Sequence, residues 1–244
     1  MTQSVRDLEG TFARSWVLLR RNWIIVVPGL VLGVLGAAAQ YAVSVLLATT
    51  FVVSGNGSDD ALYASMAVTQ IASTVIATGF ALVQLAYITG MAGACWQRGS
   101  TTLRDGWSAL AHRVLPMIGA WLLLEVLAIC AAFLAPVTFY VTVIIYAVFL
   151  IYTVASVIIG ERGPIGAIAE SSGIAFGNLG PSLGVVGLIL AIAIVGAILG
   201  SFVARVSPVA ASLVAGVLEQ VIVAYASLVV VGEYLKLTNR PTAS

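Results

Sequence analysis

Residues 160–189 read GERGPIGAIAESSGIAFGNLGPSLGVVGLI, and this stretch decides the architecture. A charged loop at 160–163 leads into Pro164, which suits a first helical turn because its missing N–H would find no partner there anyway. Ile165, Ile168, Ser172 and Phe176, with Ala169 beside them, recur at helical spacing. Gly177-Asn178-Leu179-Gly180-Pro181 then interrupts the pattern. A long uncharged run follows. The stretch predicts an amphipathic helix lying on a membrane at 164–177, and then a membrane-spanning helix.

The rest of the chain agrees with a membrane setting. Of its 244 residues 61% are hydrophobic and only 9% are charged, with mean hydropathy +1.09. Soluble domains usually carry about 25% charged residues. Uncharged runs of 20 or more residues are what a bilayer core requires. The runs are too long, and too lacking in alternation, for barrel strands. No basic stripe of the kind that binds nucleic acid is present. Cys95 and Cys130 have no CxxC spacing and read as small packing residues. The first apolar run is too long for a signal-peptide core, so a cleaved signal is not expected.

Six spans are expected, at about 23–53, 61–94, 114–134, 137–159, 181–204 and 209–235. Two further surface helices precede spans in the manner of 164–177. The first covers 5–22, where Val5, Leu8, Phe12, Trp16 and Leu19 form an apolar stripe among arginines. The second covers 101–113, with Thr101 or Thr102 as its cap and Leu103, Trp107, Leu110 and Val114 at helical spacing. His112, the only histidine, reads as a headgroup-layer residue, since no second histidine could complete a typical metal site. Gly29, Gly33 and Gly36 in the first span, and Gly196 with Gly200 in the fifth, invite close helix approach. In the second span Gln70, Ser73, Thr74, Ala77, Ala81 and Gln84 share a face expected to point into the bundle.

Charge sets the orientation. Arg6, Arg14, Arg20, Arg21, Arg98, Arg104, Arg113, Arg162, Lys236 and Arg240 fall on one side of the alternating spans, and only Arg205 on the other. This asymmetry places both termini and all three surface helices in the cytoplasm of a bacterial-type inner membrane. Arg14, Arg20, Arg21, Arg104, Arg113 and Arg162 become candidate contacts for anionic lipid headgroups. The fold expected is all-α and polytopic, with six transmembrane helices in three parallel repeats, each a surface helix plus a helical hairpin, forming a single membrane domain. Parallel repeats differ from the inverted repeats of many secondary transporters.

On Glu161, Gly163, Pro164, Ala167, Ser171 and Asn178, with Trp16 and Asn22 consistent, the chain resembles the six-helix membrane domain of some bacterial glycerophosphoryl diester phosphodiesterases and related stand-alone membrane proteins. Glu170 stands where that pattern usually carries a basic residue, and Gly173 where a bulky one is common. The resemblance implies no catalysis here, because the phosphodiesterase site belongs to a separate soluble domain.

Two carboxylates fall deep in the apolar runs. Glu125 lies ~16 Å into the third span and Glu219 ~15 Å into the sixth, at 1.5 Å rise per residue. Gln70 is expected at a similar depth, and Gln220 neighbours Glu219. Charged carboxylates at that depth are costly, so they must be protonated, paired or hydrated. Glu125, Glu219, Gln70 and Gln220 are therefore a candidate intramembrane polar site, serving either solute or proton passage or simple hydrogen bonding between helices. No nucleophile–base pair, phosphate loop, metal spacing or cofactor motif is visible. The expectation is a non-enzymatic structural or accessory subunit that packs against lipid and against a protein partner or a second copy. The alternative is a transporter or permease component using Glu125 and Glu219.

Overall fold

The computed structural model describes residues 3–54, 59–138, 141–204 and 208–238, and among these every regular element is helical. The order is α1 (Gln3–Arg21), α2 (Val27–Ser54), α3 (Asp59–Arg98), α4 (Leu103–Leu134), α5 (Val141–Leu150), α6 (Thr153–Ile158), α7 (Pro164–Gly177), α8 (Leu179–Ala204) and α9 (Pro208–Leu237). Among the described residues six helical segments are long and apolar enough to cross a membrane, with α5 and α6 together making one of them. Arg205 and the polar tail from 239 lie outside the described residues.

Two boundaries differ from expectation. The surface helix expected at 101–113 and the span at 114–134 are one continuous helix, α4, with Pro116 inside it. Nothing between them matches the Gly-Asn break after α7, and a lone proline kinks a helix in lipid without ending it. Conversely, the expected span at 137–159 is broken between α5 and α6, around Ile151 and Tyr152. The first junction behaves as expected: α1 ends at Arg21, a short 3-10 turn covers Trp23–Val26, and α2 begins with Pro28 in its first turn.

The bundle is sewn together by pairs of neighbouring helices. The α2–α3 and α8–α9 pairs have the most extensive contacts, and α3 also packs against α4 and α9. The largest core cluster gathers Ile88, Met91 and Trp96 of α3, Leu228 and Tyr234 of α9, Leu18 and Leu19 of α1, and Tyr152 from the α5–α6 break. Close approach is made possible by glycine. A Cβ on Gly232 would strike the Trp96 ring, whose indole N–H donates to the Leu228 carbonyl at 2.7 Å. Gly29 is pressed against the Gln220 side chain in the same way. Gly232→Val should therefore force Trp96 out of its slot. Overpacking of this kind costs about 1–3 kcal/mol, read as a lower unfolding midpoint together with a shift in tryptophan emission. Unchanged emission would show that the slot yields elsewhere.

The packed faces of α1 and α7 differ from the apolar stripes read from sequence. In α1 the buried residues are Thr11, Ser15, Leu18 and Leu19, whereas Trp16 is 51% exposed; the side chain of Val5 lies outside the described residues. In α7 the buried residues are Ala167, Ser171 and Ala175, while Ile165 and Phe176 face outward. In α7 small and hydroxylated residues meet the bundle and Ile165 and Phe176 meet the surroundings, whereas in α1 Thr11 and Ser15 share the packed face with Leu18 and with Leu19 of the expected stripe. The α7 arrangement is the one expected where the outer medium is itself apolar, because burial of bulky apolar groups then gains nothing and close approach decides packing.

Candidate functional site

The four residues expected to form one midplane site do not converge. Glu125 is half-buried on α4 and accepts the indole N–H of Trp121, one turn earlier, at 3.0 Å. Glu219 is on α9, and α4 and α9 each pack against α3. Gln220 is buried, and its Oε1 accepts from Gln84 Nε2 at 2.6 Å, tying α9 to α3. Gln84 belongs to the expected inward face of α3, but Gln70, Thr74 and Ala81 on that face are exposed. Because Gln84 sits level with Gln220, Gln70 lies fourteen residues further along α3, about 21 Å at 1.5 Å per residue. Gln70 is therefore not at the depth of Glu219. The hydroxyls of Thr74 and Thr78 return to carbonyls of their own helix at 2.9 and 2.8 Å, as hydroxyls in an apolar medium do.

Glu219 is exposed. It stands between two surface grooves, one against α8 lined by Ala193, Gly196 and Ala197, the other against α2 lined by Gly33, Val34 and Ala37. Ala215 and Gly216, on the same stretch of α9, border these open grooves.

The densest polar arrangement lies instead at the charged end of the bundle, around the break between α5 and α6. Interrupting a helix frees backbone groups, and Ser171 of α7 takes up two of them: it accepts from the Tyr152 amide at 3.1 Å and donates to the Phe149 carbonyl at 2.8 Å. The Tyr152 hydroxyl accepts from Ser182 of α8 at 3.4 Å. One turn on, Ser156 donates to Glu170 of α7, and Tyr234 of α9 donates to the same Oε2 at 3.1 Å. Arg162 completes the set with Nε at 3.5 Å. Burial pushes the Glu170 carboxyl up, but the bonds from Ser156, Arg162 and Tyr234 and the arginine's charge outweigh it, so its pKa lies below the ordinary glutamate value. Glu170 thus joins α6, α7 and α9 through one oxygen. Three donors on one oxygen hold it charged, a geometry suited to clamping rather than to passing a proton.

The loop after α6 is pinned as well. Glu161 adopts φ 58, a left-handed conformation that is uncommon outside glycine. Arg113 of α4 holds it, with Nη2 at 2.7 Å from its carboxylate and Nη1 at 3.4 Å from its carbonyl. Gly160 approaches Tyr234 and the Ser156 carbonyl so closely that a Cβ would clash with both. Nearby, Glu233 is fully buried; one oxygen is 3.4 Å from Lys236 Nζ and the other has no hydrogen-bond partner.

No protein-family model, no curated protein and no solved structure matches the chain.

Of the six candidate headgroup arginines, Arg113 and Arg162 are engaged with Glu161 and Glu170. Arg14 stacks over Trp96 at 4.9 Å. Arg20, Arg21 and Arg104 are exposed. Trp16, Trp23 and Trp107 are 51%, 70% and 64% exposed in the same two regions, the α1–α2 junction and the start of α4. The junction and the start of α4 lie at one end of the bundle, because Asn22 bonds across to Gly99 and Thr101. Among the described residues no group of three or more His, Cys, Asp or Glu side chains is placed to hold a metal ion. The Glu170 hub is not legible in the sequence because its partners are 14 and 64 residues away.

Proposed function

We propose that this chain is a non-enzymatic integral membrane protein, a structural or accessory subunit that fastens to lipid at its charged end and packs against a protein partner in the membrane. The observation that carries this reading is the outward collar of Trp16, Trp23 and Trp107 with exposed Arg20, Arg21 and Arg104. Tryptophan prefers the headgroup layer, and arginine beside it meets anionic lipid phosphate. The charge asymmetry supports an orientation with this end and both termini in the cytoplasm of a bacterial-type inner membrane. The sequence of elements supports three parallel units: α1 to α3, α4 to α6, and α7 to α9. The resemblance to the six-helix membrane domain of glycerophosphoryl diester phosphodiesterases fits this reading, with Asn22, Ser171 and Asn178 supplying interhelical or capping bonds rather than chemistry. The alternative, a permease component working through Glu125 and Glu219, loses support because Glu219 opens onto the outer surface and Glu125 is already bonded to Trp121.

The collar is testable. Each arginine near an anionic surface contributes about 1 kcal/mol. Replacing Arg20, Arg21 and Arg104 together by Gln should lower retention of phosphatidylglycerol by on the order of a hundredfold if the terms add, measured by native mass spectrometry of protein released from mixed-lipid nanodiscs. Replacing Arg113, which is occupied with Glu161, should change stability more than lipid retention. Equal retention of phosphatidylglycerol and phosphatidylcholine by the wild-type protein would sink the lipid-fastening part of the proposal.

A further inference from the structure

Glu219 is the most anomalous group on the outer surface. It lies eleven residues from Pro208 and eighteen from Leu237, about 16 Å and 27 Å from the two ends of α9 at 1.5 Å per residue. It is therefore deep within the span, and it is exposed rather than turned into the bundle. Ionisable groups at such depth normally face protein or water and are paired. Other polar groups of the spans are bonded: Gln220 with Gln84, Glu125 with Trp121, and Thr74 and Thr78 with carbonyls one turn back. Grooves of about 360 Å³ open on both sides of Glu219. The residues beside it, Ala215, Gly216, Gly196 and Ala197, let another backbone come close.

We infer that the α2–α9–α8 outer face is the docking site for a transmembrane helix of a different protein, one that carries a single Arg or Lys at the depth of Glu219. Charge complementarity selects this occupant. A second copy of the chain in the same orientation could offer no cation at that level, since every Lys and Arg whose side chain is described lies at the charged end of the bundle. It could offer only another Glu219. A basic helix supplies the counter-charge, and the grooves on either side of α9 receive its neighbouring side chains. The inference rests on the accessory-subunit reading and locates its partner.

The test uses synthetic Leu/Ala transmembrane peptides bearing a dansyl group and one central residue, Arg, Leu or Glu, added to the full chain in liposomes. Energy transfer from the native tryptophans reports association. The Arg peptide should bind at least tenfold more tightly than the Leu or Glu peptide. Glu219→Gln should bring it down to the Leu level, while Glu125→Gln leaves it unchanged and neither variant lowers the unfolding midpoint appreciably. Equal binding of the three peptides, or an Arg-peptide affinity indifferent to Glu219→Gln, would overturn the inference. So would Glu219-dependent self-crosslinking of an Ala215→Cys variant, which would assign the face to a second copy. Failure here leaves the collar's lipid retention untouched, so the broader reading stands or falls on its own experiment.

Discussion

Glu170→Ala is expected to loosen the joint between α6, α7 and α9 and to lower stability by about 3 kcal/mol. The figure comes from two hydrogen bonds to a carboxylate, at about 1.5 kcal/mol each, donated by Ser156 and Tyr234. Arg162 is left out of that sum, because its side chain is 56% exposed and exposed ion pairs are worth little. Glu170→Gln keeps the volume and one acceptor, so it should lose roughly half as much. Tyr234→Phe should cost less than Glu170→Ala, and the double variant should cost less than the two single effects added. That non-additivity is the signature of a shared hub. Unfolding in nanodiscs or mixed micelles measures all four proteins. Additive losses would show that Tyr234 and Glu170 act independently.

The same hub makes a pH prediction. The Glu170 pKa is lower in the folded chain than its ordinary value. The unfolded chain therefore binds this proton more readily, and stability rises with pH where the two states differ. The contribution is fully present above the ordinary glutamate value, about 4.3, and fades as pH falls through the depressed folded value. Other carboxylates paired with arginine add to acid sensitivity, so the informative quantity is wild type minus Glu170→Gln. That difference should be constant near neutrality and shrink in acid. A difference that grows in acid would mean Glu170 is protonated in the folded protein.

Long uncharged runs are sufficient to read helices in a membrane, because only a helix satisfies every backbone group locally in lipid. The number of spans was legible for that reason. Which face of a helix points inward was not legible from apolarity. The pattern Val5, Leu8, Phe12, Trp16, Leu19 picks out bulk, and in α1 bulk falls on both sides, with Leu19 buried and Trp16 exposed. Thr11 and Ser15 in α1, and Ala167, Ser171 and Ala175 in α7, are the better guide, since small residues permit contact and hydroxyls can bond across it. Counting from the start of the apolar run sets Gln70 too deep. The forty residues of α3 make ~60 Å of helix, longer than a ~30 Å core, so position within the run does not fix position in the bundle. Gln84 could not be singled out until Gln220 was seen opposite it.

Asn22 should prove the least replaceable residue of the first junction. It is 6% exposed. Its Nδ2 donates to the Leu18 carbonyl at 3.1 Å and the Gly99 carbonyl at 3.2 Å, and its Oδ1 accepts from the Thr101 amide at 3.2 Å. The side chain closes the end of α1 and ties it to the turn between α3 and α4, where Gly99 has φ 75. Asn22→Ala removes three bonds worth about 1 kcal/mol each and strands the Gly99 carbonyl and the Thr101 amide, so a loss of about 3 kcal/mol or more is expected. Asn22→Asp is the sharper test, because it has the same shape. It keeps an acceptor for Thr101 but sets a carboxylate against the Leu18 and Gly99 carbonyl oxygens, and leaves the Gly99 carbonyl without its side-chain donor. At neutral pH it should be at least as destabilised as Asn22→Ala. Lowering the pH should recover part of the loss, since a protonated aspartate can donate to one of the two carbonyls. This is opposite in sign to the acid response of the Glu170 hub, so the two effects separate in one titration. If Asn22→Asp were neutral, the amide would have to be facing the other way, with Oδ1 toward an unrecognised donor, and the stitch between α1 and the α3–α4 turn would have to be redrawn.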